Sequence, residues 1–443
     1  MSSAYVDAVA DRFGTDAATF ASLSLPLAHR IFLALPADAR GRASCVCRAW
    51  RDALADPSLW MRLDMSVVRV RFQRFADVLQ GAAGRACGEL RQLDLSQHDA
   101  SIDELLPVLT ANAGSLSELH LSDVRARLGY DEDECLTVEA VTAAAPLLQV
   151  LTAEAVSCSW EDAPQMLRTK PPFQMRGLKV YFSSPGSRVG GMERFCPFVS
   201  ALADVTLQPT LLGLYIDGVD TEQPALVGAL VDAALARRLP ELCLEDCTPP
   251  AAAPLARLLA GSLVRLELDP IGGPLFDAAG AELVADALRV NTALTALELY
   301  YADLSLDVRG VAEVLLGPLV GHLNLRELRI AHERTKEDDR SAFGAALAAL
   351  IAADAPALHV FNCSANSLGD AGLAPIVEAL ALNHHLRELN LSSNDMSEEF
   401  ARERLLPAVR ANTSLRTLYC HENPLRPAAE EAEELVCRRG QHS

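Results

Sequence analysis

Few side chains in this chain are spaced for catalysis. Eleven cysteines are scattered over 443 residues, and the nearest pairs, Cys45/Cys47 and Cys243/Cys247, lack a second Cys or His pair at zinc-site spacing. The ten histidines are dispersed, and His384-His385 reads as a surface pair in a loop. There is no G-x-x-x-x-G-K-[ST] loop to cradle phosphate, no G-x-G-x-x-G opening a helix, no H-E-x-x-H and no G-x-S-x-G elbow. No catalytic residue, cofactor or metal ligand is assigned, and the chain is read as not an enzyme. What remains is recognition by charge. The chain has 59 acidic against 39 basic residues, a formal charge of −20, which argues against a general nucleic-acid binder. The acids are uneven: residues 1–80 hold 10 basic and 8 acidic residues, and the excess lies beyond them. Carboxylates in an array would favour a basic partner.

An array needs elements to hold it, and a repeat supplies them. The pattern L-x-x-L-x-L, or a close variant, begins at Leu90, Leu116, Leu148, Leu178, Leu211, Leu239, Leu263, Leu294, Leu325, Leu358, Leu386 and Leu415, in steps of 24 to 33 residues. WMRLDMS at Trp60 is a candidate thirteenth. Helical stretches lie between. In the cleanest, Leu373, Ile376, Val377 and Leu380 recur at helical spacing and Asp370 is placed to cap. One strand–loop–helix unit cannot bury its apolar face alone, so the units must stack into an α/β solenoid. Side chains alternate along a strand, which aims the fourth and sixth positions of each match inward and the third, fifth and seventh at the open sheet face. In the repeats from Leu211 to Leu294 that face then carries the acids Asp217, Glu241, Glu245, Glu267, Asp269 and Glu298 with Arg265 as the one base, and Phe182, Tyr215 and Tyr300 are aromatics on the same face. These are the candidate substrate-binding residues. Insertions are expected at 131–134, 157–176 and 183–194, as loops on one rim.

Residues 22–64 predict a small helical unit. One helix carries Leu27, Ile31, Phe32 and Leu35 and is stopped by Pro36; a second, over 44–54, sets Val46, Cys47, Trp50 and Leu54 on one side. Asp56-Pro57 reads as a cap and first helical residue. About forty residues make no self-sufficient core, so part of this apolar surface must be covered by the solenoid, a partner, or both.

The succession Leu25-Pro26, Ile31-Phe32, Leu35-Pro36, Val46-Cys47-Arg48-Ala49-Trp50-Arg51 and Asp56-Pro57-Ser58-Leu59-Trp60 resembles an F-box in order and spacing. It departs from that family at Ala28-His29, where an acid is usual, and at Ala39-Arg40-Gly41-Arg42, which is less apolar. The repeats resemble the ribonuclease-inhibitor-like leucine-rich repeats over about residues 60–430. Asn366, Asn394 and Asn423 stand at that family's ladder position, and His98, Val124, Ile271, Ala302 and Glu333 replace the Asn in earlier repeats. The resemblance implies an extension over 1–20, an all-helical F-box over 21–64, a curved α/β solenoid of about 12 repeats over 65–427 with its parallel sheet on the concave face, and a cap or tail over 428–443. It further implies that the F-box docks on a Skp-family adaptor, and through it on a cullin–RING ubiquitin ligase. Leu25, Pro26, Ile31, Phe32, Leu35, Pro36, Val46, Cys47 and Trp50 would be the adaptor contacts, some of them serving as internal core, with Trp60 at the seam to the first repeat. An F-box joined to such repeats resembles the substrate-receptor subunits of these ligases. Two alternatives stay open: a scaffold protein in which the helical unit only caps the solenoid, and a GTPase-activating protein, which would need a placed Arg. The first twenty residues show no secretory signal and no run of about 18 apolar residues occurs, so reduced thiols and a cytosolic or nuclear setting are expected, with no membrane association. Only Lys170, Lys179 and Lys336 are lysines, a bias that fits GC-rich coding.

Overall fold

The computed structural model describes residues 25–66, 75–98, 101–125, 137–182, 195–219, 224–247, 249–270, 275–301, 311–333, 335–424 and 427–440. The expected N-terminal extension and the insertions at 131–134 and 183–194 lie outside them, as do Ile271 and Ala302. The chain forms two compact units that divide between Leu178 and Lys179. No helix among the described residues is long and apolar enough to cross a membrane.

The first unit opens with three short helices, α1 (Leu25–Leu33), α2 (Ala37–Ala43) and α3 (Arg48–Ala53), and a 3-10 turn at Pro57–Trp60. Parallel strands follow in sequence order: β1 (Arg62–Asp64), β2 (Gln92–Leu95), β3 (Glu118–Arg125), β4 (Val150–Ser159) and β5 (Phe173–Tyr181), which runs across the division. β1 pairs with β2 in register, Leu63 opposite Leu93, so the match at Trp60 is a true repeat strand. The helix Ile102–Ala111 between β2 and β3 starts at a reciprocal cap: Ser101 Oγ accepts from the Glu104 N–H, and the Glu104 carboxylate accepts from the Ser101 N–H.

The second unit holds β6 (Gly213–Asp217), β7 (Glu241–Cys247), β8 (Arg265–Pro270), β9 (Ala296–Tyr300), β10 (Glu327–Ala331), β11 (Val360–Asn362), β12 (Glu388–Asn390) and β13 (Thr417–Tyr419), again parallel and in order. Parallel neighbours need a crossover, and helices supply most of them. Leu373, Ile376, Val377 and Leu380 are buried on the helix Gly369–Leu382, as their spacing requires. Asp370 does not cap that helix. Its carboxylate accepts from the N–H and the Oγ of Ser397 one repeat on, at 2.8 and 2.6 Å.

Buried amides tie the turns. Asn366 Nδ2 donates to the Ile330 and Cys363 carbonyls, Asn394 Nδ2 to that of Cys363, and Asn423 Nδ2 to that of Leu391. Each Oδ1 accepts from a backbone N–H of the preceding repeat, those of Glu333, Asn366 and Asn394. In the first unit His98 stands in the same place and its Nε2 meets the Met65 carbonyl at 2.8 Å. A second ladder went unread in the sequence. Asn291, Asn383 and Asn412, three residues before a repeat's first Leu, each donate to a carbonyl of the previous repeat's helix end and accept from the N–H of that Leu. These amides are 1–4% exposed, where an unpaired polar group would be costly. Cys363 and Cys420 fill inward positions and are buried. The last helix, Pro427–Gly440, is a cap: Ala428, Ala429, Ala432 and Val436 are buried, and Arg439 donates to the Val409 and Asn412 carbonyls.

The match at Leu178 proves to be out of frame. Met175, Leu178, Val180 and Phe182 are all buried, so the inward series begins at Met175 and Lys179 and Tyr181 take the open side. Residues 157–176 are not a rim loop. They complete β4, form the helix Ala163–Arg168 and begin β5.

Candidate functional site

Two surfaces carry the candidate residues. The first is the helical module. Pro36 stops α1 and opens α2, and Asp56 Oδ1 accepts from the Ser58 N–H ahead of the 3-10 turn. The expected second helix over 44–54 is divided: residues 44–46 form a turn, so Val46 stands out rather than packing on a helix face, and it is 57% exposed. Phe32 is 1% exposed and meets Trp50 edge-on at 5.5 Å, which makes it core rather than a free contact. Trp60 is buried, and its indole N–H donates to the Leu54 carbonyl at 2.8 Å. It lies between the guanidinium groups of Arg40, at 5.5 Å, and Arg85 of the first repeat helix, at 4.8 Å, which is the expected seam.

Arg40 explains the less apolar stretch at 39–42. Its side chain is buried, donates to the Leu35 carbonyl at 2.9 Å and to the Leu59 carbonyl, and so ties α1 and the 3-10 turn together. Burial pulls its pKa down, opposed by the charge of Asp64. Ile31, Leu35, Cys47 and Trp50 are half-buried and Pro36 is exposed. Leu25 and Pro26 open α1, and their side chains are outside the described set. Leu27 and Leu33, absent from the expected contacts, are 45% and 54% exposed. The module therefore leaves Leu27, Leu33 and Val46 in water after its own core is made.

The second surface is the open sheet face of the second unit, where register sets the neighbours. Tyr215, Cys243, Glu267, Glu298 and Arg329 form one cross-strand row from β6 to β10; Asp217, Glu245 and Asp269 form the next. Neighbours in such rows lie about 4.8 Å apart. At one end the charges cancel. Glu298, 4% exposed, is ion-paired with Arg265 and with Arg329, the latter at 3.4 Å, and accepts from the Tyr300 hydroxyl at 2.8 Å. Glu327 completes this cluster with the same two arginines. Glu298 and Tyr300 are thus parts of a compensated network and not free acid and free ring.

At the other end the acids stay uncompensated. The β7–β8 register shifts between Glu245 and Cys247, and the extra residue, Asp246, has φ 48°. It joins Asp217, Glu245 and Asp269. Burial, then Asp246, Glu245 and Glu267, push the Asp269 carboxyl up to about 6. Asp217 and Glu245 are raised by burial and by each other's neighbourhood of acids, and Glu267 by burial and Glu298. Tyr215 is half-buried over this end, with its hydroxyl 3.3 Å from Glu241 and the Lys179 ammonium 5.8 Å from its ring. Burial and Glu241 push its pKa up to about 12. Phe182 is removed from the face: it is 7% exposed and packs on Phe195 at 5.6 Å, the consequence of the shifted frame in β5. Cys243, at a face position, is 5% exposed.

Comparison with known proteins places residues 25–66 in an F-box-like family. No curated protein sequence matches the chain. Among solved structures, leiomodin-1 actin-binding site 2 is similar with 16% identity over 36% of this chain and 87% of its own, at a TM-score of 0.29. The yeast Rad7 and Elc1 complex contains a chain similar with 15% identity over 86% of this chain and 92% of its own, at a TM-score of 0.35. The family match covers the helical module at residues 25–66, and the rest of the chain is a succession of leucine-patterned units whose strands lie in sequence order in one sheet.

Proposed function

We propose that the chain is the substrate receptor of a cullin–RING ubiquitin ligase. Its F-box-like module seats on a Skp-family adaptor, and the uncompensated acidic end of the sheet face holds a basic segment of the protein to be ubiquitinated. Ubiquitin transfer belongs to partner subunits, which the receptor serves by holding a target lysine near the charged conjugating enzyme. The setting is the cytosol or nucleus.

The carrying observation is the F-box-like match at residues 25–66. The exposure of Leu27, Leu33 and Val46 supports it, since three large apolar groups left in water on a unit this small fit a partner's apolar helices. The test is co-expression with the Skp-family adaptor of the same organism. The double variant Leu33→Glu, Val46→Glu should lose the complex while its thermal midpoint stays within a few degrees of wild type. These positions serve better than Trp50, whose ring is packed on Phe32. A well-folded wild-type chain that gathers no adaptor would end this reading and leave the module as a cap on the repeats.

A further inference from the structure

The second unit carries a row of basic side chains, three arginines and a histidine, that the acidic face does not use. The residue following each repeat's first Leu is Arg326, His359, Arg387 and Arg416 in four successive repeats. Their backbones are laddered directly: the His359 N–H donates to the Arg326 carbonyl, Arg387 to His359 and Arg416 to Arg387, at 2.7 to 2.9 Å. The side chains therefore stack in register at steps of about 4.8 Å, an arrangement in which like charges repel. Two of the nearby acids are already engaged, while Glu388, next to Arg387, makes no ion pair with it. Glu327 is held by Arg329 and Arg265, and Asp354 by His384 at 2.9 Å. Arg416 turns its guanidinium onto the Thr413 and Ser414 carbonyls. Arg326 and Arg387 are exposed, and among the described residues neither side chain makes an ion pair or hydrogen bond. His359 Nδ1, between them, is buried without a hydrogen-bond partner. Leu323 and Leu382, in the helix end and turn leading into two of these strands, are 76% and 75% exposed.

We infer that this row docks an extended acidic segment of a partner protein, its carboxylates on Arg326 and Arg387 and its apolar side chains on Leu323 and Leu382. The net charge of −20 opposes any approaching anion, so the docking rests on the local complement: Arg326 and Arg387, exposed and without an ion pair among the described residues, present positive charge to carboxylates. Three steps from Arg326 to Arg416 span about 14 Å, which is roughly five residues of extended peptide. The surface is separate from the acidic face and stands whether or not the module binds an adaptor.

The experiment is fluorescence anisotropy with the full chain and a fluorescein-labelled peptide Glu-Glu-Leu-Glu-Glu-Leu-Glu-Glu. Binding should weaken with added salt and fall roughly tenfold or more in Arg326→Glu, Arg387→Glu. The variant Arg238→Glu, Arg289→Glu changes net charge equally, off the row, and should bind like wild type. Circular dichroism confirms that both variants are folded. Equal binding by wild type and the row variant would overturn the proposal. So would equal loss in both variants, tighter capture of a serine-phosphorylated peptide of the same charge, or capture of a single-stranded RNA in place of the peptide. Self-association abolished by the row variant would overturn it in favour of a second copy of this chain.

Discussion

Asp269 shows how one residue's surroundings become a property of the protein. Half-buried beside Glu245, Asp246 and Glu267, its carboxyl titrates near 6 instead of 3.8. The folded-state pKa lies above the unfolded one, so between about pH 4 and 6 the folded chain holds a proton that the unfolded chain has released. Stability contributed by this group is therefore present at the low end of the window and lost as pH rises through it. Asp217, Glu245 and Glu267 are raised too and act in the same sense. Asp56, Asp204 and Asp354 are lowered, so their contribution fades only below their ordinary value of 3.8, outside this window. The thermal midpoint should rise on going from pH 7 to pH 5. Asp269→Asn should raise the midpoint at pH 7 and flatten that rise. A scanning-calorimetry series in which the variant keeps the full wild-type pH dependence would show that Asp269 does not set it.

At the scale of elements, two helices meet where neither has a Cβ. An added Cβ at Gly344 would overlap the Gly372 carbonyl oxygen, and one at Gly372 would stand 2.7 Å from that of Arg340. The helices Arg340–Ala352 and Gly369–Leu382 can pack this closely only with glycine at both places. Gly344→Ala should cost about 1–3 kcal/mol by forcing them apart. Gly228→Ala, in the helix Pro224–Arg237 with open space around it, should gain roughly 0.5–1 kcal/mol. Urea midpoints at unchanged slope decide both, and equal shifts of one sign would contradict the packing account. Neither contact was legible beforehand, because a helical Gly in an Ala-rich stretch carries no mark of what lies against it. The strands were legible, since Leu at one, four and six is a local pattern, and so was the Asn366–Asn394–Asn423 ladder. The frame failed at Leu178 because Met175 holds the first position and Phe182 imitates an outward residue. Alternation along strands placed Asp217, Glu245, Glu267 and Asp269 on one face. Alternation also puts Arg329, the fifth residue of the match at Leu325, on that face, but it does not show that this arginine pairs with Glu298, and it misses Asp246, which joins the acids through a bulge. In the module, spacing located the apolar residues but not their division: Phe32 and Val46 belong to one motif, and packing alone decides that one is core and the other is bare.

At the scale of the molecule, the chain separates its charges, and this makes a prediction about binding. Residues 1–80 are slightly basic and carry the module, whereas the acids of the open face, Asp217, Glu245, Asp246, Glu267 and Asp269, lie in the second compact unit. Contact with an adaptor through Leu27, Leu33 and Val46 would be apolar and little affected by salt, while contact of a basic segment with the acids would be screened within a Debye length of about 8 Å at physiological ionic strength. The two events should therefore be separable by both mutation and salt. A fluorescein-labelled Arg-rich peptide should bind the full chain at low salt, bind Leu33→Glu, Val46→Glu equally well, and lose roughly tenfold or more in Glu245→Gln, Asp269→Asn. Adaptor binding should respond in the opposite way, lost in the first variant and kept in the second even as salt is raised to half molar. Anisotropy and adaptor co-purification read the two events on the same preparations. If the acid-neutralised variant holds the Arg-rich peptide as tightly as wild type, the compensated end of the sheet or the helix side must be the basic partner's site, and the uncompensated acids are then only the solvated face of an acidic protein.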